Sequence, residues 1–255
     1  MEPRIALVLD GFNSNSLAHL SLKLSEAAIG RPVRPFSYYS VGFHYYWLNT
    51  WSSLLKHAKR LARYYITPEV DQIMVPIGAS GGGLVALLGT AVWVEICQLR
   101  GWDAQSIVKS VPKLILIAPA FCPPAKLLMQ YKEIYDLGRK TNIVSIPEVP
   151  MAVRQICDQS HEIGRRNRAR IIDALYTLKG VGMVVDMLYW PHDEVCPYPC
   201  PEAGDIQQAL EDVITPHPVL PSALRLPTNE MEAVITHVNF LRHTDTATIV
   251  QSLLP

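Results

Sequence analysis

Continuously apolar runs alternate with amphipathic stretches along the chain. The runs are short and rich in aliphatic side chains, as are strands buried on both faces of a parallel sheet. They are RIALVL (Arg4–Leu9), a run near Val33–Tyr38, QIMVPI (Gln72–Ile77), KLILIA (Lys113–Ala118) and MVVDMLYW (Met183–Trp190). Apolar residues spaced three and four apart predict a helix over Tyr45–Tyr65, and a second helix is predicted from Ser80 to about Arg100. Strands alternating with helices predict an α/β fold with a doubly wound, mostly parallel sheet.

The pattern changes between residues 121 and 179. Prolines separate predicted helical pieces there, and only Ile143–Ile146 resembles a strand. We therefore predict a helical cap over residues 121–179, inserted before the strand Met183–Trp190, and a core formed by residues 1–120 and 180–255. The last part of the core is predicted to contain a helix at Asp205–Val213, a short strand within Pro216–Pro227 and a C-terminal helix after His237.

Composition limits the classes of function. The chain has 255 residues with 23 Lys plus Arg and 23 Asp plus Glu, so no net positive charge draws it to nucleic acid. Its start, MEPRIALVLDGF, is predicted to be a strand and not a signal peptide, and no stretch approaches the roughly 20 apolar residues of a membrane span. Five scattered cysteines predict reduced thiols in a cytoplasmic protein. Cys196 and Cys200 lack a second ligand pair, so no metal is expected there.

The pentapeptide Gly78-Ala79-Ser80-Gly81-Gly82 is the strongest candidate for chemistry. It fits G-x-S-x-G and lies between a predicted strand and a predicted helix. A serine in such a sharp turn has a projecting hydroxyl, and its small neighbours let another backbone pass close. The N-terminus of the following helix favours negative charge that develops near the serine. The placement therefore predicts that Ser80 is a nucleophile, although a tight structural turn with an incidental serine fits the same residues.

An activated serine needs a base and a carboxylate to orient that base, in loops at the carboxyl ends of later strands. Asp193 follows a predicted strand directly, in WPHDEVCP, and is the predicted acid. Asp186 lies inside that strand and Glu194 is one residue further on, so both are less suitable. His237, in THVNFL, is the predicted base at a loop-to-helix junction. Three other histidines are alternatives for the base. His217, between two prolines, and His243, predicted to lie inside the last helix, are expected to be structural or exposed, and His192 is expected to be a loop residue beside the acid.

These motifs resemble those of the α/β-hydrolases, in which the order along the chain is serine, acid, histidine. The gaps here are 193 − 80 = 113 and 237 − 193 = 44 residues. The family often inserts its lid where residues 121–179 lie. The chain begins near what would be the family's third strand, so the resemblance implies a sheet shortened at its N-terminus. It also implies oxyanion donors at the backbone N–H groups of Gly81 and Phe12. Asp10-Gly11-Phe12 departs from the family's usual His-Gly sequence at that loop.

The resemblance implies a serine hydrolase that needs no cofactor and cleaves a carboxylic ester or an acyl-thioester. The stretch Tyr38–Trp51 could line an acyl pocket, and an ordinary aromatic core explains it equally well. A basic cluster in the cap is either a solvated helix face or a contact for an anionic carrier or lipid headgroup. Its members are Arg165, Arg166, Arg168 and Arg170. The alternatives to hydrolysis are a catalytically inactive binding protein and an acyltransferase or lyase on the same fold.

Overall fold

The computed structural model describes residues 4–9, 33–36, 51–66, 73–121, 162–200, 204–221, 224–241 and 243–255. Some predicted features lie outside these ranges. They are the oxyanion candidate Phe12, residues 38–50 of the aromatic stretch, and residues 122–161 of the predicted cap.

Six strands form one parallel sheet. They are β1 (Arg4–Leu9), β2 (Val33–Pro35), β3 (Ile73–Ala79), β4 (Lys113–Ile117), β5 (Val184–Tyr189) and β6 (Ile214–Pro218). Their order across the sheet is β2-β1-β3-β4-β5-β6, and every neighbouring pair is parallel. The strand order reverses on either side of β1, as in a doubly wound sheet. The predicted fold class is confirmed.

Seven helices lie among the residues that the structure describes. They are α1 (Trp51–Ile66), α2 (Gly81–Leu99), α3 (Ala104–Ser110), α4 (Glu162–Gly180), α5 (Asp205–Val213), α6 (Glu230–Leu241) and α7 (Thr244–Leu253). The short helix α3 was not predicted. Its sequence signal is Asp103, whose side chain accepts a hydrogen bond of 2.7 Å from the N–H of Ser106, an N-cap that satisfies a free donor of the first turn.

The helix α2 lies at the centre of the fold. It packs against α1, α4 and strand β3, and its first eleven residues are all buried. By length and composition alone α2 could cross a membrane, which differs from the sequence-based expectation; its most apolar window has a mean hydropathy of 1.6. However, 72% of that window is buried inside the protein, as in the core helix of a globular domain, so it is weak evidence for a membrane span. A cytoplasmic location remains a prediction.

The helix α4 is the described part of the predicted cap. It packs against α2 and α5, and its apolar residues Ile171, Leu175 and Leu178 are fully buried in the main core. This part of residues 121–179 therefore lies against the sheet's own helices. Whether the remainder forms a separate cap stays a prediction.

A cluster of charged and polar side chains joins three neighbouring strands. Asp186, in the middle of β5, is buried; its Oδ2 accepts a hydrogen bond of 2.7 Å from Lys113 Nζ, and its Oδ1 lies 2.8 Å from His217 Nε2. The register of the strands pairs Asp186 directly with Ile115 of β4 and Thr215 of β6. Lys113 and His217 each lie two residues from those partners, so all three side chains are on one face of the sheet. Asp186 and His217 are thus structural residues, as the sequence predicts.

Candidate active site

Ser80 occupies the turn between β3 and α2. Its backbone angles, φ 51° and ψ −122°, lie in a region that L-residues with a Cβ rarely adopt. Such a conformation costs about 1–3 kcal/mol and persists only where the surrounding structure fixes it. The residue is 8% exposed. The strained strand-to-helix turn predicted from Gly78–Gly82 is therefore present.

Glycines allow α2 to begin so close to the end of β3. A Cβ added at Gly78 would lie 2.7 Å from both the Cβ of Ala86 and the carbonyl oxygen of Gly82, closer than side chains tolerate. A Cβ at Gly83 would lie 2.8 Å from the Cβ of Pro119. Glycine at these two positions is therefore a steric requirement of the turn.

Asp193 lies in the loop after β5, as predicted. Its N–H donates to the carbonyl of Trp190 at 3.0 Å, and its side chain is fully buried. One carboxylate oxygen, Oδ1, accepts hydrogen bonds from the N–H groups of Val195 (2.9 Å) and Cys196 (3.0 Å). These two donors compensate for the loss of water at the buried carboxylate. They also fix its orientation, so that the other oxygen points away from the turn.

The other oxygen, Oδ2, is hydrogen-bonded to His237. Its Nδ1 lies 2.7 Å from Asp193 Oδ2, in a pair that is almost completely buried. Because a carboxylate can only accept, Nδ1 carries the proton, and in the neutral ring Nε2 is then the unprotonated nitrogen. Nε2 is also buried, and it has no hydrogen-bond partner among the residues that the structure describes. A buried polar atom without a partner is unusual and calls for an explanation.

The prediction that His237 lies at a loop-to-helix junction, with a helix after it, is wrong. His237 is inside α6, which begins at Glu230. The signal for that earlier start is in the sequence: the N–H of Glu232 donates to Asn229 Oδ1 at 3.0 Å, and the Glu232 carboxylate accepts from the N–H of Thr228 at 2.8 Å. This reciprocal pattern closely resembles a capping box.

The other candidates are accounted for by their surroundings. His192 and Glu194 are exposed in the loop after β5. His243 precedes α7, where its Nδ1 accepts a hydrogen bond from the N–H of Asp245, so the prediction that it lies inside the last helix is wrong. Helix capping and the cluster around Asp186 occupy His243 and His217, so among the four histidines considered His237 remains the candidate base.

The topology brings Ser80 and the Asp193–His237 pair to the same edge of the sheet. Ser80 follows the carboxyl end of β3 and Asp193 that of β5, with only β4 between them. Neighbouring strands are about 4.8 Å apart, so these two ends are separated by about 10 Å. An imidazole bound to the carboxylate can bridge most of such a gap. Gly81, the predicted oxyanion donor, is the first residue of α2, where N–H groups have no partner within the helix.

The basic cluster of α4 is divided by the fold. Arg168 is buried and its guanidinium pairs with Asp205 at the start of α5. Arg165, Arg166 and Arg170 are exposed, and Arg166 pairs with Glu162 one turn earlier at 2.6 Å. The helix surface is thus partly neutralised, which favours a solvated face over an anion-binding site.

Metal-ligating side chains are not clustered in the described part of the chain, where no group of three or more His, Cys, Asp or Glu could hold an ion. Cys97, Cys196 and Cys200 are not joined in disulfides within the described residues, and Cys122 and Cys157 lie outside the described ranges.

Comparison with solved structures identifies the fold. A lipase-esterase related protein from Clostridium acetobutylicum aligns with a TM-score of 0.56 and 10% identity, over 98% of this chain and 94% of the other. Est1E from Butyrivibrio proteoclasticus, solved with ferulic acid, aligns with a TM-score of 0.50 and 14% identity, over 98% and 91%. No protein-family model and no curated protein matches the sequence significantly. The chain therefore has the α/β-hydrolase fold, as its motifs predict.

Proposed function

From this fold and the side chains at its carboxyl edge, we propose that the protein is a serine hydrolase that cleaves a carboxylic ester or thioester through an acyl-enzyme on Ser80. The observation that carries the proposal is the state of His237. One nitrogen of its ring is bound to Asp193, and the other is buried and without a partner among the described residues. That is the arrangement of a base that waits for a proton from a nucleophile.

In the first half-reaction, His237 Nε2 takes the proton of the Ser80 hydroxyl as Oγ attacks the carbonyl carbon of the substrate. The carbonyl π electrons move to oxygen, giving a tetrahedral oxyanion. The N–H groups of Gly81 and Phe12 bind that oxyanion. As the tetrahedral species collapses, His237 gives its proton to the departing alcohol or thiol, and the acyl group stays on Ser80.

In the second half-reaction, water replaces the alcohol or thiol. His237 takes one proton from the water, the hydroxide attacks the acyl-serine, and the proton passes to Ser80 Oγ as the acid leaves. Asp193 stays ionised throughout and stabilises the imidazolium that forms in each half. No group outside the chain is needed for these steps, so no cofactor is proposed.

The substrate class follows from the neighbours as a proposal. One aligned protein is described as lipase-esterase related, and the other, Est1E, was solved with ferulic acid bound. These descriptions support an ester of a carboxylic acid as the substrate of this chain. A thioester would react by the same steps as an ester. Of the α4 cluster, Arg165, Arg166 and Arg170 are exposed and could contact an anionic carrier.

The test is covalent labelling with a fluorophosphonate probe, which reacts with activated serines. We expect the wild-type protein to be labelled and the Ser80→Ala variant not to be, with mass spectrometry placing the adduct on the peptide that contains Ser80. The matched control is Ser110→Ala in α3, which removes a hydroxyl that donates to the carbonyl of Ser106 and should leave labelling intact. Equal labelling of wild type and Ser80→Ala would overturn the proposal and favour a binding protein.

A panel of p-nitrophenyl esters and acyl-thioesters of rising chain length then defines the substrate. Ester or thioester turnover in water that is lost with Ser80→Ala supports hydrolysis. Labelling of Ser80 with turnover only when an alcohol or amine acceptor is added would instead identify an acyltransferase.

A further inference from the structure

The segment that leaves β4 makes a strained turn directly beside Ser80. Ala118 has a φ of +41°, in the left-handed region, although it carries a Cβ. Its N–H donates to the carbonyl of Leu188 at 2.9 Å, which extends the pairing between β4 and β5 by one residue. Ala118 and Ala120 are both buried. The bond to Leu188 therefore fixes the turn against β5, and at Ala118 the backbone changes direction toward the end of β3.

Both backbone polar groups of Ser80 are bound to this region. The N–H of Ser80 donates to the carbonyl of Ile117 at 2.9 Å, and the carbonyl of Ser80 accepts from the N–H of Ala120 at 3.1 Å. The same carbonyl also accepts from the N–H of Gly83 at 3.0 Å. The Gly83 bond belongs to the first turn of α2 and moves with it. The bonds to Ile117 and Ala120 are different, because they join Ser80 to the end of β4 and to the turn that follows it.

A steric contact reinforces these bonds. Pro119 lies against Gly83, with its Cβ 2.8 Å and its Cα 3.2 Å from the place where a Gly83 Cβ would be. The first turn of α2 therefore rests on the turn that follows β4. Ser80 therefore lies between the end of β3, which precedes it, and the first turn of α2, which Pro119 contacts at Gly83.

We infer that the N–H of Ala120 is a positioning group for the nucleophile, an inference that rests on the proposed function. A strained residue keeps its conformation only where several contacts determine it. Strand β4 lies between Ser80 and the Asp193–His237 pair, so a bond from the end of β4 sets where Ser80 lies relative to the base. Ala120 itself does not touch substrate. Without its bond, Ser80 keeps its partners Ile117 and Gly83 but loses the contact that fixes its carbonyl against the turn after β4.

The experiment deletes the hydrogen-bond donor of Ala120, and its one side effect is a weaker acceptor at the carbonyl of Pro119, which binds the N–H of Phe121. Replacing Ala120 with lactic acid, by nonsense suppression or semisynthesis, changes the amide N–H to an ester oxygen and keeps the methyl group. The Ser80 carbonyl is not left without a partner, since Gly83 still donates to it, so the loss of stability is small. The matched control replaces Ala247 of α7 with lactic acid, which deletes its bond of 3.2 Å to the carbonyl of His243 and leaves every backbone bond of Ser80 in place.

We expect the Ala120 ester to lower kcat for p-nitrophenyl ester hydrolysis, and the rate of fluorophosphonate labelling, by roughly 10- to 100-fold, the effect of a nucleophile displaced by a fraction of an ångström to an ångström. KM should stay within about twofold, because the substrate contacts are not changed. The Ala247 ester should stay within about threefold of wild type in kcat while losing similar stability, because each ester lacks one backbone hydrogen bond. A merely structural role would change both esters equally.

Equal losses in the two esters, or an unchanged kcat in the Ala120 ester, would overturn the inference. Pro119→Gly is a second test that needs only ordinary mutagenesis. It removes the contact of Pro119 with Gly83 and should also lower kcat. Its control, Pro218→Gly at an exposed position of the edge strand β6, should not lower kcat. If neither ester folds, an unchanged kcat in Pro119→Gly overturns the inference. If wild type shows no Ser80-dependent labelling, the proposed function fails first and the inference falls with it; labelling of wild type with unchanged variants removes the inference alone.

Discussion

Asp193 and His237 are 44 residues apart in the sequence, yet 2.7 Å separates Oδ2 of the first from Nδ1 of the second. The structure contains another Asp–His contact, between Asp186 and His217 at 2.8 Å. The two differ in what else the carboxylate binds. Two backbone N–H groups hold Asp193, whereas the ammonium of Lys113 holds Asp186 in the interior of the sheet. Asp193 lies in a loop at the carboxyl edge of the sheet, where Ser80 is, whereas Asp186 lies within β5.

This difference predicts opposite effects of the same substitution at the two aspartates. Asp193→Asn keeps the shape of the side chain but removes its charge, and it favours the wrong tautomer of His237. We expect kcat for ester hydrolysis to fall by about 10³–10⁴-fold with KM little changed, as when the acid of such a triad is neutralised. Steady-state kinetics on the p-nitrophenyl ester that wild type cleaves fastest measures the effect.

Asp186→Asn is the control for that substitution. Its carboxylate has no contact with His237, so the folded variant should retain kcat within about threefold. If Asp186→Asn removes activity and Asp193→Asn does not, then the acid of the proposed reaction has been assigned to the wrong residue.

Asp186→Asn should instead lower stability. Removing the carboxylate leaves the Lys113 ammonium facing the sheet without its anionic partner, and the Lys113 side chain is only 18% exposed. Breaking a fully buried ion pair costs about 3–5 kcal/mol, and partial access of Lys113 to water reduces this to about 2–3 kcal/mol. Urea denaturation measures the loss, and Lys113→Met with Asp186→Leu, which removes both charges, should recover much of it. An Asp186→Asn protein as stable as wild type would contradict the prediction.

The strands and the acid could be predicted from the sequence because their signals are local. Continuous apolar runs indicate buried parallel strands, and Asp193 follows such a run by a few residues. The sequence predicts a strand within Pro216–Pro227, whereas β6 spans Ile214–Pro218 and begins two residues earlier, since an edge strand reading ITPHP has no apolar pattern. The start of α6 was missed because its capping residues, Thr228 to Glu232, carry the signal and apolar periodicity does not.

Contacts that depend on register could not be predicted in the same way. Lys113, Asp186 and His217 meet only because β4, β5 and β6 are adjacent and parallel with a particular alignment. The left-handed turn at Ala118 is a further example, since alanine gives no sequence signal for a positive φ and the turn exists because the surrounding bonds impose it. Long-range contacts of this kind determine how the Ser80 turn is supported.

Glycine 78 offers a test of the steric argument for the turn. Gly78→Ala would place a methyl group 2.7 Å from both Ala86 and the Gly82 carbonyl, so that α2 must shift away from β3. We expect a loss of about 1–3 kcal/mol in the free energy of unfolding, as for other overpacked sites, with reduced fluorophosphonate labelling. Gly180→Ala is the matched control, because nothing lies within 4 Å of a Cβ there and its φ is not positive. The steric account is wrong if the two variants unfold at the same denaturant concentration.

Finally, the strain at Ser80 predicts that activity and stability oppose each other at this residue. Its φ of 51° disfavours any residue with a Cβ, so Ser80→Ala keeps the strain while Ser80→Gly relieves it. Glycine also increases the entropy of the unfolded chain, which offsets part of the gain. The net expectation is that Ser80→Gly is more stable than Ser80→Ala by up to about 1 kcal/mol. Both variants lack the hydroxyl and should be inactive, so the comparison isolates the backbone term; urea denaturation of the two side by side measures it. If Ser80→Gly is instead the less stable of the two, then the turn is not strained in the way its φ angle indicates. The chain would in that case adopt this conformation even without the bonds of Ser80 to Ile117, Gly83 and Ala120.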